Sequence, residues 1–229
     1  MIQKVRDVSL STIFVIAVVI LTITFSIGLP IYFRPFYYAH VPSIQEEFKE
    51  ELDVTLERDY ITDAYDEVLD FLTKNGKEFG TGDLPYSEEG KGHFEDCKVL
   101  FDLNKYAFMI SMAIVVILTL LNRFGVIKLL KPRGFSLTFI ASVGTLSLFL
   151  ILALLVSIDF DSAFTVFHKI FFPGKDNWMF NPYNDPIILF MPQRFFMNCA
   201  ILICSSIFVI SGAHIAFNLV KRKRENNNQ

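Results

Sequence analysis

Apolar positions run unbroken along four stretches of this chain. Residues 8–33, 106–122, 135–158 and 195–220 contain no Asp, Glu, Lys or Arg. A helix that crosses the roughly 30 Å hydrocarbon core of a bilayer needs about 20 predominantly apolar residues. The pattern therefore predicts four membrane-spanning helices, the second on the short side. Lys4 and Arg6 precede the first stretch as they would in a signal peptide, but the apolar region of such a peptide is only about 7–15 residues long, so residues 8–33 are read as a span.

The connections carry different patterns. Between residues 44 and 74 apolar side chains recur mostly every four positions, at Phe48, Leu52, Leu56, Tyr60, Ala64, Val68, Phe71 and Leu72, which predicts one amphipathic helix. Pro42-Ser43 supplies its start, with Ser43 as N-cap and Glu46 completing a capping box, and Asn75-Gly76 supplies its stop. Residues 76–85, with three glycines and Pro85, read as loop or hairpin. Helix resumes from Ser87 and continues into the second span. Residues 159–194 carry turn signals at Pro173-Gly174, Asn181-Pro182 and Asp185-Pro186, yet are too apolar for a plain solvated linker. They read as a segment lying in the membrane interface or capping the helices. The polar tail 225–229 is expected to be disordered. The fold class is thus an all-α membrane protein, a single domain over residues 1–229, with four transmembrane helices and an extracytoplasmic, partly helical cap.

Charge orients this arrangement. Lys4 and Arg6, then Arg123, Lys128, Lys131 and Arg133, then Lys221 to Arg224 all fall on one side of the predicted membrane. Basic loops stay in the cytoplasm, so both termini and the loop 123–134 are expected inside, and loops 34–105 and 159–194 outside. Residues 34–104 hold 18 of the 24 acidic residues against seven cations, so the net charge of -3 conceals a strongly acidic outer segment. Such a surface argues against nucleic acid, whose phosphates need Lys and Arg. The terminal KRKR reads as a topology anchor touching anionic lipid. Three cysteines, two of them in the fourth span, give no disulfide framework.

Four histidines separate by position. His214 lies in the fourth span and reads as a helix-packing residue, and His40 follows the aromatic Phe36-Tyr37-Tyr38 as an interface residue. His93 and His168 stand in the outer segments beside carboxylates. Glu89, His93 and Asp96 are four and three apart, so on a helix they share a face that can hold a general base or a metal. Read singly, His93 is a solvated surface histidine and His168 an aromatic-belt histidine, and the latter reaches the former only if the second outer loop folds back. Trp178 reads as an interfacial anchor, Asp176 and Asp185 as turn residues, and Cys97, one turn beyond His93, as inert packing. Nucleophile elbow, HExxH, P-loop and dinucleotide fingerprint are all absent from the sequence.

Two blocks carry a resemblance. Glu89-x-x-x-His93-x-x-Asp96-x-Lys98 precedes a span, and Phe167-His168-x-x-Phe171-Phe172 leads to Trp178-x-Phe180, Asp185-x-Ile187-Ile188 and Pro192-x-x-Phe195-Phe196. Together they resemble the bacterial integral membrane family of lipoprotein intramolecular transacylases, over nearly the whole chain. The resemblance implies transfer of the sn-2 acyl chain of a diacylglyceryl-modified N-terminal cysteine to that cysteine's α-amino group, in Gram-positive bacteria, without metal or other cofactor. Its catalytic pair maps to His93 and His168, supported by Glu89, Asp96, Asp176, Trp178 and Asp185. One departure is Cys97, where the family pattern has Val. The substrate implied is a diacylglyceryl lipoprotein entering from the membrane lipid. His93, oriented by Asp96 or Glu89, is the expected base and His168 the expected carbonyl-polarising group, with the roles exchangeable. Two other readings stay open. One is a metal-dependent membrane hydrolase ligated by Glu89, His93, Asp96 and His168, and the other a non-enzymatic membrane accessory protein.

Overall fold

A computed structural model describes residues 1–227, whose regular structure is helical apart from one isolated bridge between Thr81 and Asp83. The helices are α1 (Ile2–Tyr32), α2 (Arg34–Tyr38), α3 (Val41–Leu52), α4 (Arg58–Thr73), α5 (Glu88–Arg123), α6 (Leu137–Ile158), α7 (Phe160–Phe171), α8 (Ile187–Phe190) and α9 (Gln193–Asn227), with a 3-10 turn at Pro132–Gly134. Four of them, α1, α5, α6 and α9, are long and apolar enough to cross a membrane. α5 and α9 run well beyond their charge-free stretches, α1 starts ahead of its stretch and stops just short of Phe33, and α6 begins just inside its own, because a helix ends where capping and backbone geometry stop it rather than where hydropathy falls. At the C-terminus α9 runs on through residues 225–227, which were expected to be disordered; residues 228 and 229 lie outside the described residues.

The chain divides into two compact units. The first comprises residues 1–27, 104–158 and 202–229. Its core joins Phe14 and Val18 of α1, Leu118 of α5, and Leu137 and Ala141 of α6. Polar side chains here mostly return to their own helix, as in Thr22 to the Val18 carbonyl (2.9 Å), Thr145 to Ala141 (2.9 Å) and Thr119 to Val115 (2.6 Å). A hydroxyl bonded four residues back needs no partner from outside the helix, which suits an apolar solvent.

The second unit comprises residues 28–103 and 159–201. The single helix expected over 44–74 is two helices. Asp53 adopts a left-handed backbone (φ 53°), which lets the Val54 N–H turn back to the Phe48 carbonyl and ends α3. The four-residue spacing continued across this break because Leu56 kept it going. The helix also starts earlier than the capping box proposed: α3 begins at Val41, and the Ser43 hydroxyl donates to the His40 carbonyl at 2.8 Å instead of capping. Pro42 fits the first turn, where no N–H partner is required.

One face of α4, comprising Ile61, Ala64, Tyr65, Val68, Leu69, Phe71 and Leu72, is buried in this unit. Tyr65 stacks on Tyr37 of α2 with 3.5 Å between ring centroids, and the Tyr37 hydroxyl donates to the Phe190 carbonyl at 2.8 Å. Arg34 pairs with both Asp66 and Asp70. The turn 80–83 packs on α4 so closely that Gly82, at φ 63°, would place a Cβ 3.2 Å from the Ala64 backbone. Only glycine suits both the conformation and the approach.

Candidate active site

Ser87 sets the start of α5. Its hydroxyl oxygen accepts from the Gly90 N–H at 2.9 Å while Glu88 and Glu89 occupy the first turn, where the helix dipole favours negative charge. His93 follows in the second turn, well ahead of the charge-free stretch 106–122, and is 5% exposed.

The second histidine is also helical, which the turn-rich reading of residues 159–194 missed. Asp159 caps α7 by accepting from the Ser162 N–H at 3.0 Å, and His168 lies in the last turn, 6% exposed. The signal was present: a helix-capping Asp precedes Phe160, Phe164, Phe167 and Phe171, which recur every three or four residues. The continuous aromatic composition beyond it hid that period.

The two imidazoles stand 5.8 Å apart, ring centroid to ring centroid. Phe172 (4.9 Å) and Phe180 (5.5 Å) meet His93 edge-on. His168 is stacked on Trp178 at 4.5 Å and contacts Phe164 at 4.2 Å. Burial is the main force on both rings, since it disfavours the charged form. It lowers the pKa of His93 to about 4, with His168 and Lys175 adding repulsion that Asp96 partly offsets. It lowers that of His168 too, against the opposing Phe164 carbonyl. Both histidines are therefore neutral near pH 7.

Partners define the ring nitrogens. His168 Nδ1 lies 2.8 Å from the Phe164 carbonyl oxygen, which can only accept, so Nδ1 carries the proton and Nε2 keeps its lone pair. His93 Nε2 lies 3.3 Å from Cys97 Sγ, and its Nδ1 is buried with no protein partner. Burial pushes the Cys97 thiol up to about 12, so it stays protonated. Cys97 is thus a direct neighbour of His93, beyond the packing role read for it.

The carboxylates are deployed differently from the expectation. Asp96 accepts from Lys175 Nζ at 2.5 Å and from Asn177 at 3.3 Å; it latches the loop after α7 onto α5 and makes no hydrogen bond to His93. Glu89 is exposed, as is Asp176. Asp185 is 4% exposed and accepts from both the N–H (2.8 Å) and the hydroxyl (2.7 Å) of Ser87. It is a structural tie between the second outer loop and the start of α5, where a turn residue had been expected. Gly90 admits it: a Cβ there would lie 2.2 Å from Asp185 Oδ1. Trp178 is anchored by its own N–H to the Lys175 carbonyl at 3.1 Å. Sequence reasoning missed Ser87, Lys175, Asn177 and the Phe164 carbonyl. Among the described residues no three His, Cys, Asp or Glu side chains are grouped so as to hold a metal ion.

The family model described as lipoprotein intramolecular transacylase Lit matches residues 12–196. Among solved structures, the membrane-integral lipoprotein intramolecular transacylase Lit from Bacillus cereus is similar at a TM-score of 0.83 and 25% identity, covering 97% of this chain and 100% of that one. Two further structures of that protein carry a histidine replaced by arginine or by alanine. They match with TM-scores of 0.77 and 0.74 at 23% and 24% identity, covering 100% and 98% of this chain and 97% and 98% of theirs. At those two identities the likeness concerns the fold. No curated protein matches.

Proposed function

Since a family model covering residues 12–196 makes this chain a member of the lipoprotein intramolecular transacylase family, we propose that it moves the sn-2 acyl chain of a diacylglyceryl-modified N-terminal cysteine to that cysteine's own α-amino group. The product is a lyso-form lipoprotein. The observation that carries this reading is a pair of buried histidines 5.8 Å apart in an aromatic enclosure.

The substrate supplies both nucleophile and ester, so holding them together replaces an enzyme nucleophile. The amine nitrogen attacks the sn-2 carbonyl carbon, forming the C–N bond and a tetrahedral oxyanion. His168, with the Nε2 lone pair free, accepts the amine proton. The α-ammonium form, with a pKa of about 7.7–8.0, has no lone pair, so the amine attacks in its neutral form and His168 removes the proton that becomes acidic as the C–N bond forms. His93 donates to the oxyanion. The C–O bond to glycerol then breaks, and the departing sn-2 oxygen takes the proton from His168, leaving a glycerol hydroxyl and both histidines neutral. Asp96, Trp178 and Asp185 position the loop and rings; Glu89 and Asp176 take no part. This exchanges the roles first expected, because the Phe164 carbonyl holds His168 in the base tautomer.

In this reading both termini and the loop 123–134 face the cytoplasm, and loops 34–105 and 159–194 lie on the outer face with the histidines. The substrate arrives laterally from the outer leaflet, since exposing acyl chains to water costs about 0.8 kcal/mol per CH₂. Mass spectrometry of a lipoprotein N-terminal peptide from expressing cells is the test. The wild-type protein converts the diacylglyceryl form, and His93→Ala and His168→Ala each slow conversion about 10²–10⁴-fold. An unconverted peptide with the wild-type protein present refutes the function. Normal conversion by both variants refutes the site, and activity that is lost to a chelator and restored by zinc favours the hydrolase chemistry instead.

A further inference from the structure

His93 is the less constrained of the two imidazoles on one side and the more constrained on the other. Its Nδ1 has no protein partner although the residue is 5% exposed, and its Nε2 faces a single group, the thiol of Cys97 one helical turn along α5. A buried nitrogen left without a partner is costly, so a group held in that state in a site is available for a substrate. Whether it offers the substrate a proton or a lone pair depends on which nitrogen bears hydrogen.

Two arrangements satisfy the Cys97 contact, an S–H donating to Nε2 or an Nε2–H donating to sulfur. Imidazole nitrogen is a good acceptor and thiol sulfur a poor one, while a neutral imidazole holds its N–H more tightly than a thiol holds its S–H. The S–H to nitrogen arrangement is therefore the stronger. We propose that Cys97 is a positioning residue, whose S–H donates to His93 Nε2 and so keeps the ring proton on Nδ1, the nitrogen that meets the substrate carbonyl oxygen. This rests on the transacylase reading for the identity of that oxygen, though not for the tautomer. It makes the two histidines complementary: a backbone carbonyl fixes His168 as acceptor, and a thiol fixes His93 as donor. A valine at this place would offer no such donor.

The test uses the full-length protein in detergent with ¹⁵N-labelled histidine. The ¹⁵N shifts of His93, assigned by difference with His93→Ala, report the tautomer without any turnover. The wild type and Cys97→Ser, which keeps a donor, are expected to show the proton on Nδ1. Cys97→Val is expected to move it towards Nε2. In peptide-conversion assays Cys97→Val lowers kcat about fivefold with KM unchanged, as expected for one weak neutral hydrogen bond, and Cys97→Ser restores it. A wild-type His93 with its proton on Nε2, or a Cys97→Val tautomer identical to wild type, overturns the proposal while leaving the function intact. A wild type that converts no peptide overturns the function, and the tautomer measurement still decides the role of Cys97. A kcat loss that Cys97→Ser fails to restore assigns the residue to packing and also overturns the proposal.

Discussion

The two units of this protein answer the same demand in opposite ways. Every buried polar group needs a partner, and in the first unit most partners lie four residues back on the same helix, as for Thr22, Thr119 and Thr145. In the second unit local bonds such as His168 to the Phe164 carbonyl are joined by many between segments distant in sequence: Asp185 to Ser87, Lys175 to Asp96, Tyr37 to the Phe190 carbonyl, and Asn198 to His40. Local bonds leave helices free to be placed by packing alone. Long-range bonds fix one loop against one helix, and that is where two histidines far apart in the chain are brought within 5.8 Å. A reactive geometry needs the second kind of bonding.

The comparison is most exposed at Asp185. Replacing it by Ala deletes two hydrogen bonds to a buried carboxylate and leaves Ser87 to find new partners, a loss of about 2–4 kcal/mol. Thermal unfolding in detergent is expected to show that loss, and turnover to fall at least tenfold because the loop carrying Phe180 and Trp178 is untied. A stable, active Asp185→Ala would mean that packing alone holds the loop. Gly90→Ala attacks the same joint from the other side. Its methyl would stand 2.2 Å from Asp185 Oδ1, and the shift needed to relieve this is expected to cost about 1–3 kcal/mol, as overpacking does elsewhere. An Asp185→Ala background should absorb most of the Gly90→Ala effect, a non-additivity that a double-mutant cycle measures.

Acid should act on the second unit first. His93 has a folded pKa near 4 against about 6.5 unfolded, so between those values the unfolded chain binds the extra proton. Stability is full above about pH 6.5 and is lost as pH falls towards 4. Asp96 and Asp70, both held below the ordinary carboxylate range, lose their contribution only at lower pH. In Asp70 the largest cause is its hydrogen bond to Lys74, whereas in Asp96 burial opposes the shift and Lys175 and Asn177 outweigh it. Unfolding followed between pH 6.5 and 4 in the wild type and in His93→Phe separates these windows. The variant is expected to show the shallower slope, and an identical slope would place the acid sensitivity elsewhere.

The same contrast explains what could be read from the sequence. The spans were legible because hydropathy is summed over many residues, so small errors at the ends do not matter. His93 and His168 were legible as residues outside the spans. Their partners were not. The Phe164 carbonyl has no side-chain identity to read, and Lys175 meets Asp96 across 79 positions. Spacing placed Glu89 and Cys97 symmetrically about His93, one turn to either side, and could not say that the thiol would take Nε2 while the carboxylate stayed exposed. The break at Asp53 escaped for a similar reason, since a left-handed residue leaves the apolar period unchanged.

Smaller effects test the comparison more finely. Lys175→Met removes the ion pair with Asp96, whose lysine is half exposed, so stability should change by only about 0.5–1 kcal/mol. Conversion should slow a few-fold, because the loop loses one latch while Asp185 still holds the other. High salt should reproduce part of the loss in the wild type and none in the variant. Salt affecting both equally would remove Lys175 from the latch.

The smallest effect is expected in the first unit. In α1 the Thr22 hydroxyl donates to the Val18 carbonyl at 2.9 Å, an acceptor that also serves its own helix. Thr22→Val keeps the β-branched shape and removes the hydroxyl, so no buried group is left without a bond. Stability is expected to change by less than about 0.5 kcal/mol, with turnover at the wild-type rate. Thermal unfolding and peptide conversion measured beside Asp185→Ala give the contrast directly. If Thr22→Val costs as much as Asp185→Ala, polar bonds in the apolar unit carry the same burden as those around the histidines, and the division between local and long-range bonding does not explain where the site is built.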